Sequence, residues 1–368
     1  MSKYVFLTGA GSSIPYDYPS GFNLVERVAQ ILDEMNRVMV WNLPIQKIIN
    51  YVENAKKNPR MNTVGAQELM SDLGYITIDC ANVLHALISV SNSEFSNRSF
   101  EIDGHPHDLI KRFGNFCQEL IDSRSFTIDR FLIQRSNKEF DFFGKFIICY
   151  FLYQSENKRL FGKYDWIESL INMHSIQPKN IHFFNPENFP KIYTFNYDLE
   201  IERTIYLHLI SYWNVPEIDA VEIVNKLGVM HIYGQYRKFD GRKIPTFNEC
   251  FGYCLDKINL IGSNHEQLAF NKKNFLSDIY ASFGLYILGF GYDSENFEKI
   301  FGGFEKKNLL NHNYNQIFKI FSSNIGIRGT LFADKYRNKL GIEIQMLDYR
   351  YDVYIKDLFE RFEPLNYD

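Results

Sequence analysis

Short apolar runs alternate with helical stretches through most of this chain, and the alternation restricts its possible folds more than any other feature. Residues 3–8 and 192–195 are rich in β-branched and aromatic side chains, which fit the pleated surface of a buried strand. Further runs of this kind lie at 228–234, 285–288, 317–321 and 342–347. Strands that alternate with helices form parallel sheets. The sequence therefore predicts an α/β fold built on a doubly wound, Rossmann-like parallel sheet.

The clearest strand-to-helix junction is at residues 191–198, where the strand-like run stops at Asn196 and Asp198 and helical spacing of apolar residues begins. In an open parallel sheet, ligands bind at the carboxyl ends of the strands. Asn and Asp also cap helices, because their side chains accept hydrogen bonds from main-chain N–H groups. The junction therefore indicates either a ligand site or a capped helix.

A second junction follows the first strand, where residues 9–13 are Gly-Ala-Gly-Ser-Ser. Glycines allow a tight turn and let main-chain N–H groups approach a phosphate closely. The spacing of two glycines is a weak fingerprint, since it also occurs in ordinary turns. If the site binds a dinucleotide, Gly9, Ala10, Gly11 and Ser12 are expected to cradle its pyrophosphate near a helix N-terminus.

The middle of the chain is mostly helical and has no repeat of fixed period. We expect residues 25–179 to form a helical insertion subdomain, with the sheet built from residues 1–24 and 180–368. The Phe and Tyr residues of the insertion are expected either at a partner interface or in its own core.

The composition excludes several classes of protein. A net charge of −4 gives no general attraction to nucleic acid or to anionic lipid. Five scattered cysteines do not form a disulfide framework, and no apolar run is long enough for a signal peptide or a membrane span. We expect a reduced, cytoplasmic protein.

Four motifs occur in the order found in the sirtuin family. Residues 9–13 resemble the NAD-binding loop of that family, and residues 194–198 resemble its Thr-x-Asn-x-Asp motif. His231, followed by Gly234, is similar to the catalytic histidine, and Gly289 with Gly291 stands in the place of the later glycine-rich ribose loop. The resemblance implies that NAD is bound.

Deacylase sirtuins carry a zinc module with two cysteine pairs, whereas this chain offers only Cys250 and Cys254 at short spacing. No metal is therefore expected. The long insertion and the wide spacing between Asn196 and His231 look instead like the bacterial sirtuin-like NADases of antiphage defence. That resemblance implies hydrolysis of NAD to nicotinamide and ADP-ribose, as an NAD-depleting effector of abortive infection.

The catalytic residues are expected to be Asn196, His231 and Asp198. Asn196 can hold a water in line with the ribose carbon, and His231 can act as a general base toward that water or a ribose hydroxyl. Asp198 can orient the site or bind the ribose. The residues expected to bind NAD are Gly9, Ala10, Gly11, Ser12, Ser13, Thr194, Gly289, Gly291 and Ser323.

Each of these residues also has a structural explanation. His231 can be an ordinary core histidine, and Asp198 can be a helix cap. Gly289 and Gly291 can serve only to turn the chain, and Ser323 can simply end a strand.

Two other functions remain open: sirtuin-type ADP-ribosyl transfer or deacylation, and non-catalytic sensing of NAD or ADP-ribose. An unrestrained NADase would deplete its own host, so the resemblance also implies control by self-assembly into a homo-oligomer or by a partner. As a stand-alone sirtuin-like effector of this size, the chain resembles those encoded beside a HerA-type hexameric ATPase. Such an ATPase is therefore the expected partner. Direct binding to nucleic acid or to a membrane is not expected.

Overall fold

The computed structural model describes residues 4–38, 45–57, 78–91, 106–135, 137–158, 166–173, 189–259, 266–291, 294–311, 318–323, 336–342 and 344–347. The chain divides into two compact units. The sheet unit comprises Met1–Tyr18, Ser155–Ile244 and Asn264–Asp368, and the helical unit comprises Pro19–Gln154 and Pro245–Ser263. These bounds differ from those expected from the sequence, because the helical unit also takes in a later segment, Pro245–Ser263.

Six strands of the described chain form one sheet in the order β3-β2-β1-β4-β5-β6. They are β1 Tyr4–Thr8, β2 Lys191–Thr194, β3 Met230–His231, β4 Gly284–Leu288, β5 Lys319–Ser323 and β6 Ile344–Leu347. Every neighbouring pair is parallel. The predicted α/β fold with a doubly wound, Rossmann-like parallel sheet is therefore confirmed.

Burial along the strands follows their place in the sheet. The central strands β1 and β4 are buried along their whole length, as expected for parallel strands that are covered on both faces. β3 is only two residues long and half-buried, because it lies at the edge of the sheet. Most of the apolar run at 228–234 is thus outside the strand, and only Met230 and His231 pair with β2.

Helices account for most of the remaining residues that the structure describes. They are α1 Gly21–Val38, α2 Ile45–Lys57, α3 Ile78–Ser91, α4 Pro106–Asp122, α5 Ile128–Arg135, α6 Lys138–Lys158, α7 Trp166–Met173, α8 Glu200–Tyr212, α9 Glu217–Leu227, α10 Phe247–Lys257, α11 Glu266–Tyr280 and α12 Ser294–Phe301. Among these described helices, none combines the length and the apolar character that crossing a membrane requires.

Aromatic side chains fill the core of the helical unit. They repeat at helical spacing on α4, α5 and α6, and six of them are at most 2% exposed: Phe113, Phe116, Phe131, Phe142, Phe143 and Phe146. Their rings meet one another, as in the edge-to-face pair of Phe116 and Phe131 at 5.8 Å. Of the two explanations offered for the aromatic content of the insertion, the structure selects the internal core for these residues.

Candidate active site

The ends of four neighbouring strands bring the sequence motifs into one row. Thr8 of β1 pairs with Thr194 of β2 on one side and with Leu288 of β4 on the other. Thr194 in turn pairs with His231, the last residue of β3. The loops that leave these strands therefore begin side by side. The strand order reverses between β1 and β4, which is the position where open α/β sheets bind ligands.

The loop after β1 uses most of its amides within the sheet unit. The N–H groups of Gly9 and Gly11 donate to main-chain carbonyl oxygens at the end of β4, at 2.9 and 3.0 Å. Those of Ser12 and Ser13 donate to carbonyl oxygens of the loop itself, at 2.8 and 3.1 Å. Ala10 is exposed, and its N–H has no acceptor among the described residues. The expected cradle of several amides is therefore reduced to the amide of Ala10.

Two glycines allow the loops after β1 and β4 to touch. A Cβ on Gly9 would lie 2.7 Å from the carbonyl oxygen of Gly289. Gly289 has φ 61°, and a Cβ there would lie 2.5 Å from the carbonyl carbon of Gly11 and closer still to the nitrogen of Ser12. Within the described chain, a Cβ on Gly291 would meet no atom within 4 Å. Gly289 is thus required for close packing, whereas Gly291 is open.

Asn196 connects the loop after β1 to the end of β3. Its Nδ2 lies 2.8 Å from Ser13 Oγ and 3.1 Å from the carbonyl oxygen of Gly9. Its own carbonyl oxygen accepts from His231 Nδ1 at 2.8 Å. Among the described residues, Asn196 Oδ1 has no partner, although the side chain is only 7% exposed. This oxygen is therefore the atom of Asn196 that is available to a water or a ligand.

Asp198 joins the same network just before α8, whose N-cap residue is Leu199. Its Oδ1 accepts from the N–H of Glu200 at 3.1 Å, and its carboxyl also accepts a hydrogen bond from Ser13. Burial raises the pKa of Asp198 to about 6, although these hydrogen bonds and the nearby His231 oppose the rise. Asp198 therefore accepts from the first amide of α8, but it is not the N-cap residue of that helix, which is Leu199.

Both ring nitrogens of His231 have partners. Nδ1 meets the carbonyl oxygen of Asn196, and Nε2 lies 2.8 Å from Oε1 of Glu202 on α8. The two side chains are 5% and 8% exposed. Burial alone would lower the pKa of His231, but the Glu202 carboxylate and these hydrogen bonds outweigh burial and raise it above its ordinary value. His231 is thus held beside a carboxylate rather than free in a cleft.

Two other residues predicted to bind NAD, Thr194 and Ser323, lie at strand ends. Thr194 is fully buried, and its hydroxyl accepts from the N–H of Asn196 at 3.0 Å, so it shapes the turn. Ser323 is the last residue of β5 and stands in register with Leu347 of β6. Because β4 lies between β5 and β1, Ser323 is separated from the loop after β1 by one strand.

The sheet unit also contains a buried ion pair. Arg237 donates through Nε to Glu156 Oε2 at 2.9 Å and also pairs with Oε1, while the two side chains are 1% and 0% exposed. Arg203 lies 3.5 Å from the same carboxylate. Burial, reinforced by the carboxylates of Glu200 and Glu156, raises the pKa of Tyr18 well above its usual range. Tyr18 is therefore a neutral phenol at physiological pH.

No family model, curated protein or solved structure matches this chain. The chemistry of the site therefore has to be inferred from its own atoms.

The described residues contain no cluster of three or more His, Cys, Asp or Glu side chains that could hold a metal ion. Cys250 and Cys254 are buried in the helical unit, and the thiol of Cys254 lies 3.6 Å from the carbonyl oxygen of Lys145. Burial raises the pKa of Cys149, which contacts Cys254, and a neutral thiol is a poor metal ligand.

Glu202 is the residue of this network that the sequence interpretation missed. Charged residues between the apolar positions of α8 would ordinarily face solvent, yet Glu200 and Glu202 are 0% and 6% exposed. Asp198 and Glu202 are four residues apart, which is close to one helical turn. Two carboxyls at this spacing directly after a strand are the signal that could have identified Glu202.

Proposed function

We propose that this protein is an NAD⁺ glycohydrolase that converts NAD⁺ and water to nicotinamide, ADP-ribose and a proton. The observation that carries the proposal is the position of Asn196. Its side chain holds the glycine-rich loop, its main chain holds His231, and its Oδ1 remains available. Three motifs that suggest an NAD site in the sequence are thus linked by one residue.

The proposed reaction needs no general acid. When the bond between the ribose C1′ and the nicotinamide nitrogen breaks, its electron pair neutralises the pyridinium charge, and the leaving group departs as a neutral molecule. The paired carboxylates of ordinary glycosidases are therefore unnecessary. The enzyme has to position a water and stabilise an oxocarbenium-like transition state.

The candidate residues fit these two requirements. Asn196 Oδ1 accepts a hydrogen bond from the water that forms the new C–O bond. The proton released by that water, or first by a ribose hydroxyl, goes to His231 once its ring has a free nitrogen. Asp198 orients the site through Ser13, and the exposed amide of Ala10 supports the pyrophosphate.

The test is a turnover assay that detects nicotinamide and ADP-ribose. Asn196→Ala and His231→Ala are each expected to lower kcat about a hundredfold or more, as for loss of a positioned base or hydrogen-bonding group. His208→Ala is the control, because His208 is also a buried histidine of the sheet unit but stacks on Tyr212 at the end of α8.

Three results would contradict the proposal in different ways. Wild-type turnover in folded Asn196→Ala and His231→Ala variants would show that the site is elsewhere. Binding of NAD without turnover would favour the non-catalytic sensor. Consumption of NAD only when an acyl-lysine or protein acceptor is added would favour deacylation or ADP-ribosyl transfer.

We also propose that the activity is held off until a partner or self-assembly releases it, as the resemblance to antiphage effectors implies. The reason is physiological: a constantly active NADase would exhaust the NAD of its host. Turnover and particle size are to be compared for the chain purified alone and with a HerA-type ATPase from its genomic neighbourhood. A fully active monomer that is harmless when expressed would exclude such gating.

A further inference from the structure

The contact between His231 and Glu202 determines how many protons the two side chains hold. Nδ1 of His231 lies 2.8 Å from the carbonyl oxygen of Asn196, which can only accept, so Nδ1 carries a hydrogen. Nε2 lies 2.8 Å from Oε1 of Glu202, and this contact is favourable only if one proton lies between the two atoms. While the contact exists, Nε2 has no lone pair free for a substrate.

The surroundings of the pair favour a charged imidazole ring. Glu202 faces the ring from α8, and Asp198 contributes a second nearby carboxyl from the loop after β2. From α11, the uncharged side chain of Asn271 reaches this strand end, where its Nδ2 lies 3.3 Å from the carbonyl oxygen of Ile232. The groups that act on His231 within the described chain include no cation.

Glu202 is not held in place by a full set of hydrogen bonds. Its Oε2 is buried and has no hydrogen-bond partner within the described chain. Burial of an unsatisfied oxygen opposes folding. The buried Oε2 of Glu202 therefore lowers the stability of the fold.

We propose that Glu202 is the positioning residue of the site and that it holds His231 as an imidazolium until the shared proton is lost to bulk water. His231 becomes a base only after that release, so Glu202 sets the pH above which the site can accept a proton. The role of Glu202 in turnover rests on the proposed function, whereas its effect on His231 does not. The effect of Glu202 on His231 can therefore be tested without NAD.

The direct test is NMR titration of the full-length protein labelled with ¹⁵N and ¹³C in histidine, with the His231 signal assigned from His231→Gln. We expect both ring nitrogens of wild-type His231 to be protonated at pH 7. Glu202→Gln should lower the pKa of His231 by about 1 to 3 pH units, the usual effect of losing an adjacent opposite charge. A glutamine at this position can still donate to a neutral Nε2.

The matched control is Glu200→Gln. Glu200 is also buried on α8, but its Oε1 accepts from Thr204 at 2.9 Å, and it is not among the groups that shift the pKa of His231. This variant should leave the His231 titration unchanged. An equal shift in both variants, or none in either, would overturn the proposal. So would a neutral wild-type ring at pH 7, and this measurement remains decisive if Glu202→Gln does not fold.

The activity test uses the acidic limb of the pH profile of kcat for NAD hydrolysis. In Glu202→Gln the limb should move to lower pH by the same amount as the NMR pKa, while the maximal rate falls because the ring is less well oriented. A purely structural role would lower the rate without moving the limb, which would overturn the catalytic part of the proposal. If the NMR shift occurs but the wild type does not hydrolyse NAD, the proposed function fails and the control of His231 by Glu202 stands.

Discussion

Gly289→Ala is the substitution that most sharply separates the two glycines after β4. Gly289 has φ 61°, a left-handed conformation that costs a residue with a Cβ about 1 to 2 kcal/mol. The added Cβ would also stand 2.5 Å from the carbonyl carbon of Gly11, where ordinary contact begins near 3.4 Å. The atoms that the Cβ would meet belong to the main chain of Gly11 and Ser12, so the loop after β1 has to move. Overpacking of this kind costs about 1 to 3 kcal/mol. We therefore expect Gly289→Ala to lower the free energy of unfolding by about 2 to 5 kcal/mol.

Urea denaturation followed by circular dichroism measures this loss, with Gly291→Ala as the control. A Cβ on Gly291 would meet no described atom within 4 Å, so the control should change stability by about 0.5 kcal/mol or less. NAD turnover should also fall in Gly289→Ala, because the displaced loop carries the Gly9 and Ser13 oxygens that hold Asn196. If Gly289→Ala is as stable as the wild type, the loops after β1 and β4 do not pack as described, and the reasoning is wrong.

Three further predictions concern pH, the buried ion pair and metal. Because the pKa of Asp198 is raised to about 6, its folded form binds a proton more tightly than its unfolded form. Its contribution to the free energy of unfolding, about 3 kcal/mol in all, is thus fully present below about pH 4 and lost as pH rises through 6. In Asp198→Asn, the free energy of unfolding from urea melts should therefore vary less with pH over this range. Arg237→Met should cost about 3 to 5 kcal/mol, since it leaves Glu156 buried without its closest cation. Lys226→Met, which removes a pair that is 61% and 62% exposed, should leave the unfolding midpoint unchanged, and equal effects would contradict the argument. Purified protein should contain no stoichiometric zinc and keep its melting temperature with chelators; one zinc per chain by elemental analysis would revive the deacylase interpretation.

The architecture was predictable because its signals are local. A run such as residues 4–8 is entirely apolar or β-branched, and a strand of this composition is stable only when it is covered on both faces. Alternation of such strands with helices then leaves a parallel sheet as the natural arrangement. The exact extent of β3 was not predictable, because an edge strand ends where its single neighbour stops pairing with it.

The boundary of the helical unit depended on contacts that composition does not reveal. Residues 245–263 belong to that unit although they are distant from it in sequence. Lys145 Nζ, for example, donates to the carbonyl oxygen of Leu255 at 2.7 Å. The expected insertion was contiguous, since a sequence pattern indicates where helices form but not which helices pack together.

The sequence by itself determined which residues stand at the carboxyl edge of the sheet, because parallel strands place the ends of their motifs together. Only the tertiary structure decided which of their atoms remain available. Four of the five amides of the loop after β1 are used by carbonyl oxygens, Asn196 retains one oxygen, and His231 is bound by Glu202. The physical reason is that each hydrogen-bonding group has a fixed capacity, and its partners are distant in sequence: Asn196 and Gly9 are 187 residues apart. Residue identity can therefore locate such a site, but the satisfaction of its donors and acceptors is settled only when the chain is folded.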